Sequence, residues 1–389
     1  MATRRLTALL SVSTLGIVLA ACGSGSGSTT TTKAASSSTA KSTTTTAGVT
    51  FSSLETPPSS AVSLQETGST LLYPLFNYWA PAYTQQYSNI KITTASTGSG
   101  TGISDAANGT VDIGASDAYL SPTVLAATPT LLNIPLAISA QMINYNVPGV
   151  SNLKLNGKIL DGIYTGKITK WNDSAIAAAN PGVTLPNLAI VPLHRSDGSG
   201  DTFIFSQYLS KSNPTTWGSS SGPGFGTTIN WPTVPGALAE NGNGGMVSGC
   251  QATPGCIAYI GVSFQTQTQT VGLGQALLQN ASGNYEQLNS TTVGAEAAAL
   301  NSTTLKNEAL SLVYDNASNG YPIINYEYAI VNSKQTDPNK AQAIKALLAW
   351  CLDPQYGNSS QYLAKVNFLP LPSGVAQLSL NQIQTISAG

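Results

Sequence analysis

Apolar and polar positions fall into blocks that predict strand, loop and helix in turn. Around residue 195 an apolar run, Val191-Pro-Leu, leads into a turn of Arg195, Ser196, Asp197, Gly198, Ser199 and Gly200. A second apolar run, Phe203-Ile-Phe-Ser-Gln-Tyr-Leu209, then leaves with helical spacing. The order recurs upstream. β-Branched Ile90-Lys-Ile-Thr-Thr94 predicts a strand that feeds the glycine-rich Ala95-Ser-Thr-Gly-Ser-Gly-Thr-Gly-Ile-Ser-Asp105, and Thr110–Ser116 predicts another that ends at Asp117. In Glu66–Trp79, Gly68, Ser69 and Thr70 stand at the mouth of an apolar helix. Near the C-terminus Asp337-Pro338 opens a helix on which Ala341, Ile344, Leu348 and Cys351 share one face.

The N-terminus follows other rules. Arg4 and Arg5 precede an apolar run, Leu6 to Ala21, that is too short to span a bilayer, so residues 1–21 are expected to be an export signal. Its end, Leu19-Ala20-Ala21-Cys22-Gly23, resembles the bacterial lipoprotein signal, which implies a lipid anchor on Cys22 and a place on the outer face of the cell membrane. Residues 22–61 are mostly Ser, Thr, Gly and Ala, too poor in apolar groups to offset the entropy of ordering, and are expected to form a flexible tether.

Composition narrows the partners. Charged residues make up 8% of the chain, against roughly 25% in ordinary soluble domains. Taking Arg4 and Arg5 from the 16 basic residues leaves 14 against 17 acidic. Without a basic patch, nucleic acid is excluded as a partner. A surface dressed in Ser, Thr, Asn and Gln suits acidic surroundings, where many titrating carboxylates would be a liability. Cys250 and Cys256 flank a Pro-Gly turn, a spacing that suggests a disulfide in an exported protein; a metal site there would need more ligands, and His194 is the only histidine. Cys351 is expected to be a core thiol.

Three of these loops can donate to an oxyanion. Hydroxyl and free N–H groups at a helix entrance favour negative charge, and Arg195 adds a planar cationic fork. The glycines near residue 98 lack the Lys-Ser/Thr pair and the spacing of a nucleotide-binding loop. His194, beside Ser196 and Ser199, lacks a nucleophile-elbow pattern, so a hydrolytic triad is not expected.

The set resembles the high-affinity phosphate-binding protein of bacterial ABC phosphate importers. The resemblance rests on Thr-Gly-Ser-Thr (67–70), Thr-Gly-Ser-Gly (97–100), Val-Asp-Ile-Gly-Ala-Ser-Asp (111–117) and Arg-Ser-Asp-Gly-Ser-Gly (195–200). It continues through Gly166–Asp173, Asn230-Trp-Pro232 and Pro254–Tyr259. It implies an α/β, two-lobed periplasmic-binding-protein (type II) fold with the ligand in the cleft. Hinge crossings are expected near Ile138–Ile143 and Pro322–Tyr328, with lobe I at 62–138 plus 326–389 and lobe II at 139–325.

It also implies a monomeric receptor, not an enzyme, that takes inorganic phosphate to an ABC permease with no cofactor and no metal. The implied phosphate contacts are Thr70, the N–H of Leu71, Ser99, Asp117, Arg195, Ser199 and Gly200, with Ser69 and Asp197 behind them. Asp117, able only to accept, suits an oxyanion that still carries a proton. At Asp201 the family pattern has a threonine, and a carboxylate there could select monobasic phosphate, be protonated itself, or turn outward as a helix N-terminal charge. A receptor for another tetrahedral oxyanion, or a secreted phosphate-site hydrolase, is the alternative.

Overall fold

The computed structural model describes residues 49–299 and 309–389. Residues 1–21 and Cys22 lie outside them. Nine strands form the main sheet: β1 (Val62–Gly68), β2 (Ile90–Ser96), β3 (Ile113–Ser116), β4 (Leu131–Tyr145), β5 (Val191–Arg195), β6 (Leu238–Glu240), β7 (Cys256–Gly261), β8 (Gly274–Gln275) and β9 (Ile324–Asn332). Their spatial order is β2-β1-β3-β9-β4-β7-β5-β6, with β8 also on β4. Pairs β1–β2, β1–β3, β5–β6 and β5–β7 are parallel, while β9 runs antiparallel to both neighbours.

The long β4 joins the two halves of this sheet. Apart from half-buried Leu132 it is buried along its length, as expected for a central strand covered on both faces. It pairs with β9 from Leu131 to Ala140 and with β7 from Gln141 to Tyr145. Gln141 therefore sits where one neighbour replaces the other.

Among the described helices, seven shape the pocket and the packing around it: α1 (Phe51–Leu54), α2 (Tyr73–Gln86), α3 (Ser99–Asn108), α4 (Gly200–Ser212), α5 (Gly242–Ala252), α6 (Pro338–Leu352) and α7 (Ser373–Thr385). The strand, loop and helix order predicted around residues 68, 98 and 198 is observed as β1–α2, β2–α3 and β5–α4. Asp337 caps α6 by accepting the Asn339 N–H at 2.8 Å, and Cys351 is buried on that helix. Trp79, Tyr83, Trp171, Trp217 and Trp350 are among the largest fully buried side chains. Each such side chain contributes on the order of 1.5–3 kcal/mol by leaving water. The tryptophan N–H groups are met inside the core: Trp79 donates to Gly357 O at 2.8 Å and Trp171 to Gly255 O at 3.0 Å. Gly255 adopts a φ of +84° in the turn that brings Cys250 and Cys256 into a disulfide.

Two expectations change. Residues 49–61, expected within the tether, pack on the domain instead: Val49, Phe51 and Leu54 lie against the core, and Gln377 and Gln342 donate to Val49 O and Thr56 O. Three apolar residues at short spacing provide the burial that the upstream Ser/Thr run lacks. The helix expected directly after Thr70 begins at Tyr73, because Ser69–Leu72 first makes a turn in which Ser69 Oγ accepts the N–H groups of Leu71 and Leu72 at 3.1 and 2.8 Å.

Candidate anion pocket

Strand ends and helix starts deliver the expected residues to one place. Asp117 follows β3, Arg195 ends β5, Ser99 opens α3, and Ser199 caps α4 by accepting the Thr202 N–H at 3.2 Å. All four are buried, as are Ser69, Thr70, Leu71, Gly200 and Asp201. Close approach of backbones requires glycine here. A Cβ on Gly100 would stand 3.1 Å from Gly198 Cα, and the Gly100 N–H donates to Gly198 O at 2.9 Å. These contacts join the β2–α3 loop to the β5–α4 loop.

Arg195 is the electrostatic centre. Its Nε donates to Asp197 Oδ1 at 2.7 Å, a second nitrogen binds Asp197 Oδ2, and NH1 reaches Asp201 Oδ2 at 2.9 Å. A guanidinium has five N–H groups, so two remain to donate beyond these three bonds. Burial works against its charge, yet the Asp197 bond and the Asp201 and Asp197 charges hold its pKa above the ordinary value. Burial pushes Asp197 up, but its bonds to Arg195 outweigh that and hold it below the usual carboxylate range. Asp197 thus holds the guanidinium in place, and it also accepts the Gly242 N–H at 3.1 Å.

Asp201 does not turn outward. Its carboxylate is fully buried, accepting from Arg195, from Asn243 Nδ2 at 2.7 Å and from Gln141 Nε2 at 3.1 Å. Burial lifts its pKa, against the opposing pull of Arg195. Asp117 lies close by. Burial, then the charge of Asp201, push it up to about 7, while bonds from Glu327 and Ser69 and the charge of Arg195 pull the other way. Ser99 Oγ stands 3.3 Å from Asp117 Oδ2 and accepts the Asp117 N–H at 3.2 Å. Buried Asp201 is thus ion-paired to Arg195, and buried Asp117, with serine hydroxyls around it, feels the charge of both.

Several residues of this cluster were not marked as belonging to the pocket by any local signal. Asn243 at the start of α5 donates to Thr70 Oγ1 at 2.8 Å as well as to Asp201, and accepts the Gly261 N–H at 2.8 Å. Tyr259 Oη accepts the Arg195 N–H at 2.8 Å and lies 2.8 Å from Thr202 Oγ1. Gln141, Ser139 and Glu327 are polar residues inside apolar strands. That interruption was the available signal, since a buried polar group must find a partner. His194 stacks on Trp231 with ring centroids 5.0 Å apart, and its Nδ1 lies 3.2 Å from Arg195 O. Among the described residues no group of three or more His, Cys, Asp or Glu side chains could hold a metal ion, and no helix is long and apolar enough to cross a membrane.

Comparison with known proteins adds the family. A PBP superfamily domain matches residues 24–355. The phosphate-binding protein PstS of Xylella fastidiosa strain Temecula1 is 32% identical over 328 residues, 83% of this chain and 86% of that protein. The chain belongs to the phosphate-binding protein family. PstS of Methanocaldococcus jannaschii, another member, is 32% identical over 347 residues, covering 84% of this chain and 87% of its own. The family is one of binding proteins, not of enzymes. The solved phosphate-binding protein of Stenotrophomonas maltophilia, at 18% identity, superposes with a TM-score of 0.63 over 82% of this chain and 94% of its own. The fold is thus the two-lobed periplasmic-binding-protein fold that this family uses.

Proposed function

We propose that the protein captures inorganic phosphate in its monobasic form and delivers it to an ABC permease. One observation carries the ionic preference: buried Asp201, ion-paired to Arg195, lies close enough to buried Asp117 for its charge to act on that acid. When both are ionised the two carboxylates can only accept, so an anion entering between them must bring protons. Monobasic phosphate brings two, one for each. Its remaining oxygens take the free N–H groups of Arg195, the hydroxyls of Thr70, Ser99 and Ser199, the N–H of Gly200, and the N–H of Leu71, which it shares with Ser69 Oγ. Sulfate has no proton at neutral pH and would leave both carboxylates facing bare oxygens, an unmet pairing that can reject an analogue by about four to five orders of magnitude.

The test is calorimetric titration of the protein, stripped of phosphate, with phosphate and then sulfate across pH 5 to 8, beside Asp201→Thr. We expect affinity for phosphate to rise as pH falls, sulfate to stay silent, and Asp201→Thr to flatten the trend. Affinity that is flat or that rises with pH would overturn the monobasic preference; no phosphate binding at either limit would overturn the function.

The rest of the functional picture is part of the same proposal. Lobe I is assigned to 62–138 plus 326–389 and lobe II to 139–325, closing about crossings near Ile138–Ile143 and Pro322–Tyr328. The signal at residues 1–21 is removed, and a lipid on Cys22 holds a monomeric receptor to the outer face of the membrane. Mass spectrometry of the exported protein tests the anchor: a diacylated N-terminal Cys22 is expected, and an unmodified one would overturn it.

A further inference from the structure

Glu327 is a buried acid beside the pocket that the ligand chemistry above does not use. It lies on β9, which runs antiparallel to β3 with Tyr328 opposite Ser116, so the next residue pair in that register is Glu327 and Asp117. On its other side β9 slips register against β4 between Glu327 and Tyr328, which face Ala137 and Pro135. A slip of this kind re-aims a side chain and recurs next to functional sites. Asn325 and Glu327, two apart, share a face. Glu327 Oε1 accepts from Asn325 Nδ2 at 3.1 Å and lies against Ser139 Oγ, whose one proton is shared between it and Asn325 Oδ1 at 2.7 Å, and Asn325 Nδ2 lies 3.3 Å from Asp117 O.

The other oxygen has no such partner. Glu327 Oε2 is buried without an N–H or O–H donor, and the carboxyl is in hydrogen-bond contact with Asp117. Two carboxyl groups hold this contact only with a proton between them. Donors already occupy Oε1, so that proton belongs at Oε2. The other charges that face the pair are Asp201 and Arg195, both acting through Asp117. The neighbouring β4 carries no acid or base apart from Tyr145, and α3 contributes only Asp105, in its second half. Glu296, on the helix Ser290–Ala298, is engaged with the Asp315 N–H.

We propose that Glu327 is a positioning residue: as a neutral carboxylic acid it donates its Oε2 proton to Asp117 and so keeps Asp117 an acceptor for the proton of the bound anion. Burial, and then the charge of Asp117, hold the Glu327 pKa well above the usual range, in agreement with this role. Selection against fully deprotonated oxyanions then depends on a residue that never touches them. The inference rests on the phosphate reading above.

Glu327→Gln keeps a donor at Oε2 and an acceptor at Oε1, whereas Glu327→Leu removes both. Infrared spectroscopy should show the carbonyl band of a neutral carboxylic acid in the unaltered protein near neutral pH, with loss of that component in Glu327→Gln. Calorimetric titration with phosphate should give Glu327→Gln within about threefold of the unaltered protein, with sulfate silent. Without its donor, Asp117 should hold its own proton to higher pH, and each unit of that shift costs Glu327→Leu about tenfold in phosphate affinity at neutral pH. The loss should recover toward alkaline pH, and sulfate binding should emerge. Equal loss in both variants, or none in Glu327→Leu at any pH, would overturn the proposal, as would absence of the band from the unaltered protein. If Glu327→Leu does not fold, the band and Glu327→Gln decide. Failure of the unaltered protein to bind phosphate would instead overturn the functional reading, while the band still tests the Glu327 proton.

Discussion

Gly200→Ala tests whether the close approach of the two halves at the pocket belongs to the ligand-holding state. A Cβ on Gly200 would lie 2.4 Å from Asp117 Oδ2, 2.5 Å from Asp117 Cβ and 2.6 Å from Ser99 Oγ. Ordinary contact begins near 3.4 Å, so the neighbours must retreat by about 1 Å. A rotamer change frees Oδ2 but not Asp117 Cβ, which the end of β3 holds in place. The entrance of α4 must therefore move away from Asp117 and Ser99, carrying the Gly200 N–H and Asp201 with it. Displacement of a binding group by about 1 Å costs on the order of a hundredfold, or about 3 kcal/mol of affinity. Overpacking should lower stability by about 1–3 kcal/mol.

Calorimetric titration with phosphate and thermal unfolding without it measure the two effects separately. Gly244→Ala in α5 is the control: its Cβ meets nothing within 4 Å, so binding should be unchanged, and loss of a helix-interior glycine should stabilise by about 0.5–1 kcal/mol. Gly200→Ala binding phosphate within threefold of the unaltered protein would refute the reasoning, since the loops could not then meet at this distance around the ligand.

Further expectations come from the same geometry. Asn243→Ala removes bonds to Thr70, Asp201 and the Gly261 N–H and leaves buried groups without partners, so denaturant unfolding should show a loss of about 3 kcal/mol; a loss under about 1 kcal/mol would contradict this. Replacing Cys250 and Cys256 by serine opens a loop of sequence separation 6, for which chain entropy predicts about 2 kcal/mol, read as a lower denaturation midpoint. Glu296 and Asp117 are each pushed up to about 7, mainly by burial. Acids raised in the folded state contribute stability that is complete below their unfolded pKa and is lost as pH rises through the folded value. The melting temperature should therefore fall between about pH 4.5 and 7.5. Glu296→Gln should make that profile shallower, and an unchanged slope would exclude Glu296 as a cause.

That pH profile bears on the sparse charge of the chain, because acids buried in this way make mild acidity favourable. Composition raised the expectation of acidic surroundings, but it could not show which carboxylates are buried. Elsewhere local signals were more specific. The loops at 67–70, 97–100, 111–117 and 195–200 were legible as one candidate pocket because several glycine-rich helix entrances occur with an arginine and a strand-end carboxylate, whereas each entrance alone reads as a Ser/Thr cap. Cys250 and Cys256 were legible as a pair for a similar reason, since the turn between them leaves little room for another arrangement. The end of the tether was not, because Val49, Phe51 and Leu54 are too few to form a pattern until α6 and α7 supply the surface they cover.

By itself the sequence determined the strand, loop and helix order, the loops able to donate to an oxyanion, and the arginine among them. These depend on periodicity and backbone chemistry within windows of about a dozen residues. Only the tertiary structure decided which way Asp201 turns and what stands behind Asp117. Gln141 and Asn243 reach Asp201 from 60 and 42 residues away, and Ser139 meets Glu327 across 188. Those meetings exist because β9, from late in the chain, inserts between β3 and β4 and slips its register at Glu327. No local pattern encodes that insertion; it results from how the whole sheet buries its apolar faces.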